Sequence, residues 1–238
     1  DMKAYLEATR NVNMVKAVYM EVGVPAARRQ EEALYAIEMC KDTSNPTRGA
    51  VISGDLKSSE FETYISQFKD SPYIKGIRYG FRSVADMEDP QLIKNIELLG
   101  KLNMSLDFTI SPAWLPAIAN LIRSCPGTRF LVNHCGNADP RAFLDPSSIS
   151  GKPNHDANEW ITAMKTVAEN KNVVCKISGI ISTTSGYPKT AKTLAPGINH
   201  CLDIFGPDRV MFASDWPWCL KSNKLEEWVN ILKEIVKN

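Results

Sequence analysis

A repeated alternation constrains this chain more than any other feature. Short runs rich in apolar and β-branched residues are each followed by a longer amphipathic stretch, and that order predicts βα units and a parallel sheet. The strand candidates are Met14–Val22, Arg48–Ile52 running on to Ser53, Ile74–Tyr79, Ser105–Ile110, Arg129–Asn133, Val173–Ile177 and Arg209–Ala213. The helical stretches between and after them are Ala27–Cys40, Phe61–Phe68, Pro90–Leu102, Trp114–Ser124, Asn158–Ala168, Gly197–Phe205 and Leu225–Lys237. In the first of these, Ala33, Leu34, Ile37 and Cys40 fall at three-to-four spacing and read as the apolar face. Pro90 stands at a helix start, where its missing N–H costs least.

A closed (β/α)8 barrel takes eight strands and about 250 residues. Seven strand candidates in 238 residues predict one α/β domain of this kind, a TIM barrel over 1–238 from strand 2 onward. The first strand is then expected ahead of Asp1, with residues 1–12 as the tail of the first helix. An open doubly wound sheet is the rival architecture. It would usually carry a Gly-rich first turn, and the sequence has no G-x-G-x-x-G. The stretch Asp139–Pro153 reads as a long loop, a length that often marks function in a compact domain.

Composition enters as a set of exclusions. Lys and Arg number 28 against 27 Asp and Glu, a net charge of +1, which argues against nucleic acid or an anionic membrane surface as partner. No apolar run reaches the roughly 18 residues of a membrane helix. The six cysteines form no C-x-x-C pair and several lie in apolar runs, so they read as reduced thiols and point to a cytoplasmic location. A small-molecule substrate is the expected partner, and a homo-oligomer is left open.

Barrels of this type draw their catalytic residues from the carboxyl ends of strands. At those places stand Glu21, Ser53 with Asp55, Arg78 with Arg82, Asp107, His134, Lys176 with Ser178, and Asp215. The imidazole of His134 suits zinc, proton transfer or the orientation of a carbonyl. Asp215 ends an apolar strand, where a carboxylate can ligate a metal or take a proton from water. Trp216 and Trp218 either wall a pocket or cover the barrel mouth. Arg78 and Arg82 can clamp a carboxylate. Asp107 and Lys176 sit within strands and read equally as substrate contacts or as an ion pair inside the barrel. Glu21 is the weakest metal-ligand candidate. His155 and His200 read as structural or solvent-facing.

The stretches VNHCGN, FASDWPWC, KGIRYGFR and CKISG together resemble the amidohydrolase superfamily. The similar branch contains 2-pyrone-4,6-dicarboxylate lactonase, L-fuconolactonase and related lactonases. Its D-H-x-G, K-x-S-G and S-D-W-P elements match Asn133-His134-Cys135-Gly136, Lys176-Ile177-Ser178-Gly179 and Ser214-Asp215-Trp216-Pro217. The resemblance implies a (β/α)8 metal-dependent hydrolase acting on a lactone or related cyclic ester. Asp215 matches the family's water-activating base, and His134 the histidine that binds metal or polarises the carbonyl. Arg78, and with it Arg82, matches a contact to a substrate carboxylate; a divalent ion, zinc first, is the implied cofactor.

Two departures and one property of the branch keep alternatives open. The family's H-x-H pair of the first strand is absent from this sequence, Asn133 replaces the usual Asp, and some lactonases of the branch work without metal. A non-oxidative decarboxylase of the same superfamily is the alternative enzyme. A catalytically idle barrel binding a small acid is the alternative of another class.

Overall fold

In a computed structural model, which describes residues 1–182 and 185–237, the chain is an alternation of parallel strands and helices. The strands are β1 (Ala17–Met20), β2 (Thr47–Ser53), β3 (Ile74–Gly80), β4 (Ser105–Thr109), β5 (Arg129–Val132), β6 (Val173–Ile177) and β7 (Val210–Phe212). This is the α/β class read from the sequence. The helix Met2–Thr9 bears out the helical reading of the opening residues, with Asp1 capping it by accepting a bond from the Ala4 N–H. Among the described residues no helix is long and apolar enough to cross a membrane.

The residues fall into two compact units. The first holds Met14–Thr109 and Asn120–Leu131. Here β1, β2, β3 and β4 pair in parallel in chain order, and Ser53, Arg78 and Asp107 occupy successive partner positions across β2, β3 and β4. Neighbours in register point to the same face, so the sheet itself aligns these three polar residues. Its core includes Ile52, Ile77 and Leu106, all fully buried, and an edge-on ladder of Phe81, Phe108 and Phe130 with centroids 6.2 and 6.5 Å apart. Each such side chain contributes about 2 kcal/mol of apolar burial.

One helix of this unit corrects the sequence reading. In Arg29–Lys41 the buried residues are Glu32, Ala33, Ala36 and Cys40, while Leu34 is 52% exposed. A buried carboxylate takes the place expected of a leucine because it is fully engaged. Glu32 accepts from the Tyr19 hydroxyl at 3.0 Å, from the Val22 N–H at 2.8 Å and from the Ser53 hydroxyl at 3.5 Å. Burial, and then the charge of Glu32, push the Tyr19 phenol far up.

The second unit holds Asp1–Asn13, Ile110–Ala119 and Val132–Asn238, in which β6 and β7 pair in parallel. Its largest buried side chains are Trp160, on the helix Ala157–Glu169, and Trp228, on the helix Leu225–Ile235. The helix expected at Gly197–Phe205 starts earlier, at Ala191, and carries Pro196 inside it. Thr190 and Thr193 close a capping box at that start. Proline leaves the carbonyl four residues back without its helical donor. That residue is the exposed Lys192, whose carbonyl can turn to water. The loop expected at Asp139–Pro153 contains two short 3-10 turns, Pro140–Phe143 and Pro146–Ser148.

Candidate active site

His134 follows β5 after one residue, the extended Asn133, and begins a tight turn of four residues, all with positive φ: His134 at 55°, Cys135 at 51°, Gly136 at 63° and Asn137 at 54°. Left-handed backbone costs a non-glycine residue roughly 1–2 kcal/mol, so the surrounding contacts must hold the turn. Asn137 donates through Nδ2 to the Ile110 carbonyl at 2.7 Å. Gly136 lies so close to Met164 that a Cβ there would sit 2.7 Å from its sulfur.

The ring of His134 is set by the segment after β6. Its Nδ1 lies 2.9 Å from the Ser178 hydroxyl, which also accepts the His134 backbone N–H at 3.3 Å. Gly179, at φ +67°, makes room for the ring; a Cβ on it would be 2.3 Å from Nδ1. The K-x-S-G element therefore has a physical content that motif matching alone does not give. Its serine orients the histidine and its glycine admits it.

Asp215 follows β7 and also has positive φ, 53°. Its Oδ1 stands 4.0 Å from His134 Nε2, and both side chains are 17% exposed. That gap is too long for a direct hydrogen bond. It suits one oxygen bonded to both groups at about 2.8 Å each, with an angle near ~90° between the bonds. Burial, then the charge of Asp215, push the nearby Cys219 thiol up to about 11. Trp216 packs edge-on against Tyr5, centroids 5.3 Å apart, and its buried indole N–H has no acceptor. Two residues on left-handed backbone, each just past a strand end, thus face each other across a gap of one atom.

The remaining candidates behave differently. In the first unit, Arg78 donates through Nε to Glu21, whose other oxygen accepts the Gly23 N–H at 2.7 Å. Glu21 is thus engaged with an arginine, and Arg78 is held as an oriented fork, 32% exposed. Asp107 is fully buried on β4. Arg82 is exposed, and its backbone N–H caps onto Asp86 at 2.9 Å. In the second unit Lys176 is buried on β6. His155 accepts the Asp139 N–H at 2.8 Å, and His200 Nε2 lies 3.1 Å from the Ile161 carbonyl, so both make backbone contacts.

His134 and Asp215 are donors of the kind zinc accepts. A catalytic zinc takes three protein ligands, and among the described residues of their unit no third His, Cys, Asp or Glu joins this pair. These residues do not make a complete metal set by themselves.

Comparison with known proteins agrees with the architecture. An amidohydrolase from Burkholderia multivorans, solved with bound HEPES, superposes with a TM-score of 0.85 at 18% identity, over 99% of this chain and 80% of that one. A crystal form of an amidohydrolase from the same organism with bound zinc gives 0.83 at 18% identity, with the same coverage. The fold is therefore of the (β/α)8 TIM-barrel type. An L-fucono-1,5-lactonase from Burkholderia ambifaria is 28% identical over 204 residues, which is 84% of this chain; the chain spans 65% of that lactonase's length. A family model described as amidohydrolase matches residues 1–236, almost the whole sequence, and the chain belongs to the amidohydrolase family.

Proposed function

We propose that the protein is a hydrolase that opens a lactone or related cyclic ester of a small acid, with Asp215 as general base and His134 as the group that polarises the carbonyl. The observation that carries this is the 4.0 Å separation of His134 Nε2 and Asp215 Oδ1. A water held in that gap gives its proton to Asp215 as its oxygen attacks the carbonyl carbon. The Ser178 hydroxyl, already accepting one backbone N–H, donates its own proton to Nδ1. Nε2 then carries the ring proton and donates it as a hydrogen bond to the developing oxyanion. Collapse of the tetrahedral intermediate breaks the ring C–O bond, and the alkoxide recovers the proton from Asp215. The Trp216 indole is a further donor for a substrate oxygen.

The lactonase name of the B. ambifaria relative supports the substrate class. A divalent ion such as zinc, as found in the B. multivorans amidohydrolase, would take His134 and Asp215 as ligands. In that case Nδ1–H would donate to Ser178 instead. Metal analysis of the purified protein decides its presence. In the first unit, Arg78, Arg82 and Asp107 are proposed substrate contacts on their chemistry. Six free, buried cysteines fit a cytoplasmic location.

The test is turnover of a panel of sugar and carboxylated lactones by the protein and by Asp215→Asn. Loss of a general base costs about 10²–10⁴ in rate, so the variant should fall at least 100-fold. Equal rates would overturn the mechanism. CO2 release from an aromatic carboxylic acid, with no lactone opened, would replace hydrolysis by decarboxylation.

A further inference from the structure

Three cysteines that the hydrolytic reading does not use come together in the second unit. Cys135 lies in the left-handed turn after β5, Cys175 in the middle of β6 and Cys201 on the helix Ala191–Phe205. Their Sγ atoms all lie within 4.8 Å of one another, and each residue is 0% exposed. A single buried thiol is ordinary packing. Three sulfurs converging from three separate elements form a donor set.

We propose that this triad binds one soft monovalent metal ion, Cu(I) in type, through three sulfurs in a trigonal plane. Thiolate sulfur favours Cu(I), zinc and iron–sulfur clusters over hard cations. Structural zinc takes four ligands in a tetrahedron. Among the described residues no fourth His, Cys, Asp or Glu joins the three, and with every member fully buried, solvent does not reach the sulfurs to complete a tetrahedron. An ion satisfied by three sulfurs is what remains. Metal–sulfur bonds of about 2.3 Å place three sulfurs roughly 4.0 Å apart, within the limit the structure sets. The Cys135 thiol donates to the Lys176 carbonyl at 3.8 Å, which fixes its sulfur beside β6. Binding forms copper–sulfur bonds in place of S–H bonds; local opening of the segment lets the ion in and the thiol protons out, the ion enters as Cu(I) and no electron moves.

Such an ion would tie the turn carrying His134 to β6 and to the helix behind it. The site is independent of the proposed hydrolysis, and its test does not read activity. The reduced protein is loaded anaerobically with Cu(I) against a competing Cu(I) chelator. One copper per chain is expected in the protein, and also in Cys40→Ala/Cys125→Ala/Cys219→Ala, which keeps only the triad's thiols. Loss of an outer-shell partner already costs 10–100-fold in metal affinity, so Cys201→Ala should weaken binding by more than about 100-fold. Copper should also raise the melting temperature of the parent, since it binds the folded state. X-ray absorption of the copper-loaded parent should show three sulfurs at one distance near ~2.3 Å, a reading that needs no variant and holds even if Cys201→Ala does not fold. The proposal is overturned by failure to retain copper, by retention that folded Cys201→Ala leaves unchanged, by loss in the triple variant, or by nitrogen or oxygen donors at the ion.

Discussion

Two acidic groups of the same unit, Asp139 and Asp215, each face a basic partner, and the two pairings are built differently. Asp139 is fully buried and meets Arg141 Nη2 at 2.8 Å. It also accepts from Arg141 Nε, from the Arg141 N–H at 3.0 Å and from the Asn154 N–H at 3.1 Å. Asp215 stands 4.0 Å from His134 on strained backbone, with both side chains partly open. The first pair is closed on itself and orders the loop after the His134 turn. The second is spaced for a third atom. Distance and burial, more than residue type, separate an ion pair closed on itself from one with room for a third atom.

The comparison breaks first if Asp139 proves to act in catalysis. Asp139→Asn should cost about 3 kcal/mol of stability, because it leaves the largely buried Arg141 without its counter-charge. Denaturant melts measure this. Burial pushes the Asp139 carboxyl up, but the Arg141 bonds prevail and hold it below its ordinary value of 3.8. Its contribution is therefore present above about pH 4 and lost as pH falls below that. The variant should show a flatter acid limb in its stability profile. Below its melting point it should turn over lactone within about a factor of three of the parent. A large rate loss without a loss of stability would place Asp139 in the reaction.

The next effect sharpens the other side. Gly179→Ala puts a methyl 2.3 Å from His134 Nδ1 at a φ that disfavours any side chain, so the ring must move. A displacement of about 1 Å in a positioned catalytic group costs on the order of 100-fold in rate. Turnover with kcat near that of the parent would show that the ring position is not what the site depends on.

These two tests also mark what the sequence could convey. β6 is read to the residue, because five apolar-rich positions between a polar turn and a Ser-Gly stop leave little choice. The strand ends were legible as a set of polar residues, and His134 and Asp215 stand out among them by their neighbours. The misreadings have local causes. Leu34 looked buried because periodicity weighs side chains by hydrophobicity, and no periodic pattern reports that Glu32 has three donors around it. The start of the helix at Ala191 was hidden by Pro196, although Thr190 and Thr193 carried the capping signal. The positive-φ run from His134 to Asn137 has only one glycine to announce it. The meeting of Cys135, Cys175 and Cys201 depends on tertiary packing that no spacing rule encodes.

The smallest expected effect is the most discriminating. Ser178→Ala removes the hydroxyl 2.9 Å from Nδ1 but leaves His134 and Asp215 in place. If the hydroxyl's task is to keep the ring proton on Nε2, its loss should lower kcat about tenfold, roughly 1.4 kcal/mol, with KM unchanged, since the tautomer matters at the oxyanion and not for substrate binding. A rise in KM at constant kcat would instead make Ser178 a binding group. No change in either would mean that the turn after β5 holds the imidazole by backbone alone, and the burden of orientation would shift to Gly179 and the left-handed run itself.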